Sequence, residues 1–271
     1  MPEAPGLIHP GPVAAQRITA VPCVATHRRV TLPAGATLLD AMRDAAHGRG
    51  AWFDLRDVPV ETLTFVRPAP APDDGHVAWY SAPTVLTDAT ILQAGAHLGV
   101  RDGAAFAHVH GLWRDKGGRS HAGHLLAEAT VLRADHVVDV WLLEGARLES
   151  QPDEETGFTL FRPVATTPVG EPNAMLATIR PNVPIDDGLA RIGRMAGRSV
   201  SAVKGLGSLV GTALDGAPGL TDIATEVLLT GDDGRGVVAV GFTGPAVAGD
   251  LAAGMNRVCV TFEVLVLTAS D

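Results

Sequence analysis

The sequence predicts an α+β protein built from two consecutive copies of one unit. Three observations lead there: short apolar runs between Pro-, Gly- and Asp-rich turns read as strands, each half holds one stretch of helical periodicity, and similar pieces recur in the same order along both halves. With 271 residues the chain is long enough for two hydrophobic cores. Hydrophobic residues make up 46% of it but aromatics only 4%, so Ala, Val and Leu must supply most of the core volume.

Residues 1–17 read as an N-terminal arm, and 18–162 as the first unit. Strands are expected at 18–24 and 29–32, followed by a helix at 36–47 with Leu38, Leu39, Met42, Ala45 and Ala46 on one face. Short strands at 52–55, 63–66 and 76–80 are separated by turns such as 67–75. Further strands are expected at 89–98, 104–113 and 137–148, and 152–157 reads as a turn. The Pro-containing stretch 163–173 reads as a linker. The second unit, 174–271, begins with Ala177-Thr178-Ile179-Arg180, which resembles Ala25-Thr26-His27-Arg28. A helix at 186–197 turns Leu189, Ile192 and Met195 or Ala196 inward. Strands follow at 200–203, 227–230 and 236–242. Ala248-Gly249-Asp250-Leu251 then mirrors Ala122-Gly123-His124-Leu125, and 258–267 mirrors 137–148.

One constellation carries chemistry. His108 and His110 are two residues apart on an expected strand and so share a face. His124 arrives after a polar loop. Three neutral imidazoles with one open position are the ligand set of a catalytic zinc site; the alternative is three histidines that merely neighbour each other. In the repeat, 237–241 falls opposite 107–111, which places Val238 and Val240 where His108 and His110 stand, and Asp250 where His124 stands. No histidine follows His136, so the second unit is expected to keep the frame without the ligands.

Other residues have two readings each. His121 is a candidate acid–base group, a fourth ligand or a loop residue. Arg114, Lys116 and Arg119 concentrate three cations in one loop, either as a clamp for a carboxylate or phosphate or as a solvated turn. Arg28 and Arg180 hold matching places suited to subunit contacts through a salt bridge to a neighbour, or to a carboxylate site. Asp139 and Glu263 sit inside apolar runs, as partners that orient a histidine or as surface residues. His9 could extend from the arm to a neighbouring subunit. The glycine-rich 231–236 lacks the Lys-Ser/Thr of a phosphate-binding loop, and Ser208 lacks the glycines of a nucleophile elbow.

The formal charge of −9 disfavours binding to nucleic acid or an anionic membrane surface. Lys116 and Lys204 are the only lysines, and no block of like charge occurs. Cys23 and Cys259 lie in apolar strand-like runs and read as buried free thiols. No apolar run reaches the roughly 18–20 residues of a membrane span. The N-terminus lacks the basic start and apolar core of a signal peptide, which makes a cytoplasmic location the default expectation.

The helix after a Pro-Ala-Gly turn (32–46), the strand Ile91-Leu92-Gln93-Ala94-Gly95, His108-Val109-His110, Gly123-His124-Leu125 and Asp153-Glu154-Glu155-Thr156-Gly157 together resemble the PPC (plant and prokaryote conserved) domain. The resemblance covers about 18–160, with a degenerate second copy at 174–268. It implies two tandem α+β domains, each a curved, mostly antiparallel sheet with a flanking helix, assembled as homotrimers. It also implies a zinc or similar divalent metal on His108, His110 and His124. Plant relatives join this domain to AT-hooks and are labelled DNA-binding, but this acidic chain has no Arg-Gly-Arg-Pro hook. The duplicated design with one three-histidine site also looks like acetolactate decarboxylase and certain zinc-dependent ester hydrolases. The expectation is therefore a zinc-dependent lyase, decarboxylase or hydrolase acting on a small anionic oxo-acid or ester. The alternative is a non-catalytic metal- or ligand-binding module.

Overall fold

The computed structural model describes residues 6–73 and 75–269, and the protein is α+β and mostly β. The first half contains β1 (Ile18–Leu32), α1 (Leu38–Ala46), β2 (Ala51–Val66), β3 (Thr84–Arg101), β4 (Ala104–Arg114), β5 (Ser120–Leu125), β6 (His136–Glu144), β7 (Ala146–Pro152) and β8 (Thr159–Ala165). The second half contains β9 (Ala174–Ile179), α2 (Ile185–Ala196), β10 (Val200–Leu209), β11 (Thr225–Leu229), β12 (Gly236–Val240), β13 (Val247–Asp250) and β14 (Val258–Thr268).

The hydrogen-bonded order in the first half is β1–β6–β2–β3–β4–β5, antiparallel throughout. Phe65 and Val66 at the end of β2 return to Leu125 and His124 of β5, so this part of the sheet curls into a ring. The second half pairs as β9–β14–β10–β11–β12–β13, the same sequence of partners. β1 belongs to both: residues 18–23 pair with β9, and residues 24–32 pair with β6.

The strands are longer than their apolar runs. The polar interval Thr26–Arg29 does not interrupt β1, because β6 supplies its ladder hydrogen bonds while the side chains of His27, Arg28 and Arg29 face solvent. β2 likewise bridges the gap between the two short strands expected there, bending at Asp57, which has a φ of 53°. The expected strand 137–148 instead breaks at Gly145 (φ 88°) into β6 and β7. β8 extends to Ala165, into the stretch read as a linker, because it ladders along the whole of β7.

Thr37 caps α1 by accepting a hydrogen bond from the Asp40 N–H (3.1 Å), and Leu38, Ala41, Met42 and Ala46 bury one face. In α2, Ile185, Gly188 and Ile192 are buried and Ala196 packs beside them. Met195 is 54% exposed, so Ala196 fills the inward position. Each half has its own core. A third cluster joins them, with Cys23, Trp52, Leu143, Leu148 and Phe161 packed with Leu176, Leu206, Leu228 and Leu265. Cys23 and Cys259 are buried free thiols, each pushed up to about 12 by burial.

From residue 6 onward the arm is docked on the body; residues 1–5 lie outside the described residues. His9 does not extend outward. It is buried, with Nε2 2.9 Å from the Cys259 carbonyl oxygen, because Gly11 and Leu7 are tied to Glu155 and Asn182 on either side. The turn after β7 anchors the arm. Glu155 accepts hydrogen bonds from Arg17 (2.7 and 2.9 Å) and Arg180 (2.9 Å), and Asp153 pairs with Arg180 (2.8 Å) and Arg162. Arg180 thus makes intramolecular salt bridges, whereas its counterpart Arg28 is exposed and donates only to the His27 carbonyl.

Burial alone would raise both carboxyls. The Thr156 hydrogen bonds at Asp153, the Arg17 and Ala14 hydrogen bonds at Glu155, and the surrounding arginines outweigh it and lower both. The stability these carboxylates add is therefore complete above their unfolded values, near 4, and is lost as pH falls through the lowered folded values. Removing one partner of a buried ion pair costs about 3 kcal/mol. Glu155→Gln is expected to lower Tm at neutral pH by roughly 5–10 °C and to reduce the loss of stability in acid, as read by scanning calorimetry across pH. An unchanged Tm would show that the network contributes nothing.

Candidate metal centre

Strand alternation builds the centre. On β4, Ala105, Ala107 and Val109 enter the first-half core, which turns Phe106, His108 and His110 toward the second half. His124 of β5 lies opposite His110 in the ladder. From the other side, Val227 and Leu229 of β11 fill the second-half core, so Glu226 and Leu228 face the histidines. By the same alternation, Phe262, Val264 and Val266 of β14 point away while Glu263 and Leu265 point toward them. The centre therefore lies within one chain, on the seam between its halves.

His108, His110, His124 and Glu226 each offer a ligand atom, and these atoms lie within 4.8 Å of one another. Ligand atoms about 2.0–2.2 Å from a tetrahedral metal stand roughly 3.3–3.6 Å apart, so small side-chain shifts that open the shortest separations and close the longest would suffice. The hydrogen bonds assign the tautomers. His110 Nδ1 is 3.0 Å from the Val227 carbonyl oxygen, which only accepts, so this nitrogen carries the proton. His108 Nδ1 faces Glu263 Oε2 at 2.8 Å and donates to it when that carboxyl is ionised. The two Nε2 atoms then face each other at 3.0 Å, and Glu226 Oε2 lies 2.6 Å from His110 Nε2. His124 Nδ1 is buried without a hydrogen-bond partner.

Electron-rich atoms gathered this closely repel unless a positive charge lies among them. The proton affinities follow the same logic. Burial, reinforced by the neighbouring imidazoles, holds His108 and His124 well below the ordinary imidazole value. Burial also lowers His110, but the adjacent Glu226 outweighs it and raises this one histidine. Glu226, which burial would raise, is brought down by His110. Burial pushes Glu263 up to about 7, although His97 and His110 oppose the rise. The cluster thus calls for a cation at its centre, which a proton on His110 or a metal ion supplies. Three imidazole nitrogens and a carboxylate oxygen are a donor set that fits a divalent transition metal.

A pocket partly open to solvent leads to this cluster. Its floor includes His108, His124, Glu226 and Glu263, and its walls include Trp79, Tyr80, Phe106, Phe158 and Arg101.

The structure brings His108, His110 and His124 together and separates the other sequence candidates from them. His121 is three residues from His124 on β5 and faces the opposite side. Its Nε2 lies 2.9 Å from Asp115 Oδ2, and its ring is 5.8 Å from that of Phe65. Arg114, Lys116 and Arg119 lie around the β4–β5 turn, about 13 Å along the strand from His110. Lys116 is 77% exposed and 3.1 Å from Asp88, so the loop is a solvated turn. Asp139 and Glu263 part ways: Asp139 makes a half-exposed ion pair with His27, whereas Glu263 is buried against His108. The expected substitution pattern is also corrected. Asp250 pairs with Gly236, just as His124 pairs with His110, so Gly236 and not Val240 holds the corresponding ladder position. Val238 and Val240 pack with Ala122.

Glu226 was not singled out by its sequence, nor was His97. His97 lies opposite His108 in the β3–β4 ladder, is buried edge-on against Trp52 and is lowered to about 4 by burial. The available signal at Glu226 and Glu263 was an acid alternating with leucines that prove fully buried.

No family model matches the sequence, and no curated protein matches it. Solved structures do show similarity at low identity, each over about half of the chain. A plant- and prokaryote-conserved (PPC) protein of Pyrococcus horikoshii is 16% identical with a TM-score of 0.39, covering 57% of this chain and 99% of its own. A metal-containing protein of Archaeoglobus fulgidus is 22% identical with a TM-score of 0.41, covering 51% and 94%. A candidate DNA-binding protein of Ralstonia eutropha is 16% identical with a TM-score of 0.39, covering 52% and 90%.

Titration with Zn²⁺ and Co²⁺ is expected to show one site per chain. His110→Ala should abolish stoichiometric binding, and Glu226→Gln and Glu263→Gln should each weaken it by about 10–100-fold. Wild-type affinity in Glu226→Gln would remove that residue from the group.

Proposed function

We propose that this chain is a zinc-dependent enzyme acting on a small anionic oxo-acid or ester. The observation that supports this reading best is the convergence of His108, His110, His124 and Glu226, three of which (His108, His124 and Glu226) line an accessible pocket. Zinc bound there supplies Lewis acidity toward a carbonyl or ester oxygen. Glu263 orients His108 through its Nδ1, and the Val227 carbonyl does the same for His110. Aromatic side chains line the pocket, and Arg101 replaces the expected Arg114/Lys116/Arg119 loop as the cation facing a bound anion. Cytoplasmic location and assembly as a homotrimer complete the reading. The formal charge of −9 weighs against nucleic acid as the partner.

A second reading rests on Glu226. As a fourth ligand it would close a tetrahedral shell, leaving a non-catalytic ion that ties the two halves together. One experiment separates the two. The metal-loaded protein is assayed on panels of esters and 2-oxo-acids with and without chelator, while Tm is followed in parallel. Turnover that chelator removes and Zn²⁺ restores is expected. A chelator-induced fall in Tm with no turnover on either panel would favour the closed site.

A further inference from the structure

The cation that serves the pocket is unusual for this chain. The partly buried Arg17, Arg162, Arg180 and Lys204 pair with carboxylates, and the partly buried Arg67 is held by the Gly241 and Gly244 carbonyl oxygens. Arg101 is half-buried and lines the pocket, yet among the described residues its hydrogen-bond and ring partners are neutral. Its Nε donates to Ser150 Oγ at 3.2 Å, and its guanidinium carbon lies 3.6 Å from the Phe106 ring centroid. In a chain with nine excess negative charges, a guanidinium held by a hydroxyl and an aromatic face keeps its remaining donors for an anion.

The surrounding wall describes the rest of the ligand. Trp79 and Tyr80, each 40% exposed, line the pocket and are the only aromatic side chains among the exposed large apolar residues of the described chain. Trp79 stacks on Phe158 with centroids 5.5 Å apart and planes inclined by 22°, and Tyr80 stands edge-on to His124 at 5.5 Å. Flat rings presented this way favour a flat apolar body. Phe106, beneath Arg101, precedes His108 by two residues on the same face of β4. Phe106, which carries the guanidinium on its ring, and the first histidine are therefore about 7 Å apart along the strand, on the scale of one substituted aromatic ring.

We propose that the pocket is a binding site for a small aromatic carboxylate. Its carboxylate lies on Arg101, its ring lies against Trp79, Tyr80 and Phe158, and an oxygen substituent on the far side of the ring faces His108, His124 and Glu226. This names the substrate class for the function proposed above and rests on that reading only for the far-side substituent; the carboxylate anchor stands independently of the metal.

The test is calorimetric titration of the full chain, with and without Zn²⁺, using benzoate, 4-hydroxybenzoate, benzamide and acetate as probes. Benzoate should bind in both states, with the neutral benzamide and the ringless acetate at least about tenfold weaker. Arg101→Gln should lose about 10–100-fold in benzoate affinity while its Zn²⁺ affinity stays within about twofold of wild type. Trp79→Ala should weaken benzoate by about three- to tenfold. 4-Hydroxybenzoate should gain over benzoate only in the Zn²⁺-loaded protein. Benzamide or acetate binding as tightly as benzoate, or an Arg101→Gln variant binding benzoate like wild type, would overturn the site. A protein that binds benzoate through Arg101 but takes up no Zn²⁺ would uphold the carboxylate anchor and overturn the metal reading.

Discussion

The close approach of the two sheets across the seam is the constraint on which the rest of the molecule depends. At its centre is Gly95, opposite His110 in the ladder. A Cβ there would stand 2.4 Å from the Trp52 ring and 2.7 Å from Leu228 Cδ1, so any side chain would force the sheets apart. With glycine, Trp52, Leu206, Leu228 and Leu265 pack into one apolar cluster spanning both halves. Lys204 of the second half reaches Asp54 of the first at 3.0 Å on the rim. That packing carries Glu226 and Glu263 to the histidines. Opening the seam would leave two carboxylates and two imidazoles without their partners, which is costly for each group.

The seam also explains why the centre is both largely buried and charged. Burial penalises protonation of His108 and His124, and the same burial strengthens the pull between Glu226 and His110. The two halves thus take complementary parts. The first presents neutral nitrogen donors, and the second supplies negative charge and orients the rings through Glu263 and the Val227 carbonyl. The second half, expected to be only a frame, contributes directly to the centre.

Much of this was legible from spacing. His108 and His110 share a face because strand geometry admits nothing else, and α1 begins where its Thr37 cap and apolar stripe indicate. Reasoning from local composition failed where polar stretches proved to be part of the structure. The Thr26–Arg29 interval lies inside β1, and the basic Arg114–Arg119 loop, attractive as an anion clamp, lies at the wrong end of its hairpin. Arg101 was passed over because a single arginine at a strand end has no distinctive pattern; only its unpaired place in the pocket sets it apart.

By itself the sequence determined the two helices, many of the strand cores, the imidazole set and the recurrence of the frame, because these follow from periods of two and 3.6 residues and from turn chemistry along the chain. Only the tertiary structure decided that Glu226 and Glu263 meet those imidazoles and that His121 does not. It likewise decided that Arg101, rather than a lysine-bearing loop, faces the pocket. Those outcomes depend on which sheet face packs against which, across separations of more than 100 residues, and no local spacing encodes that.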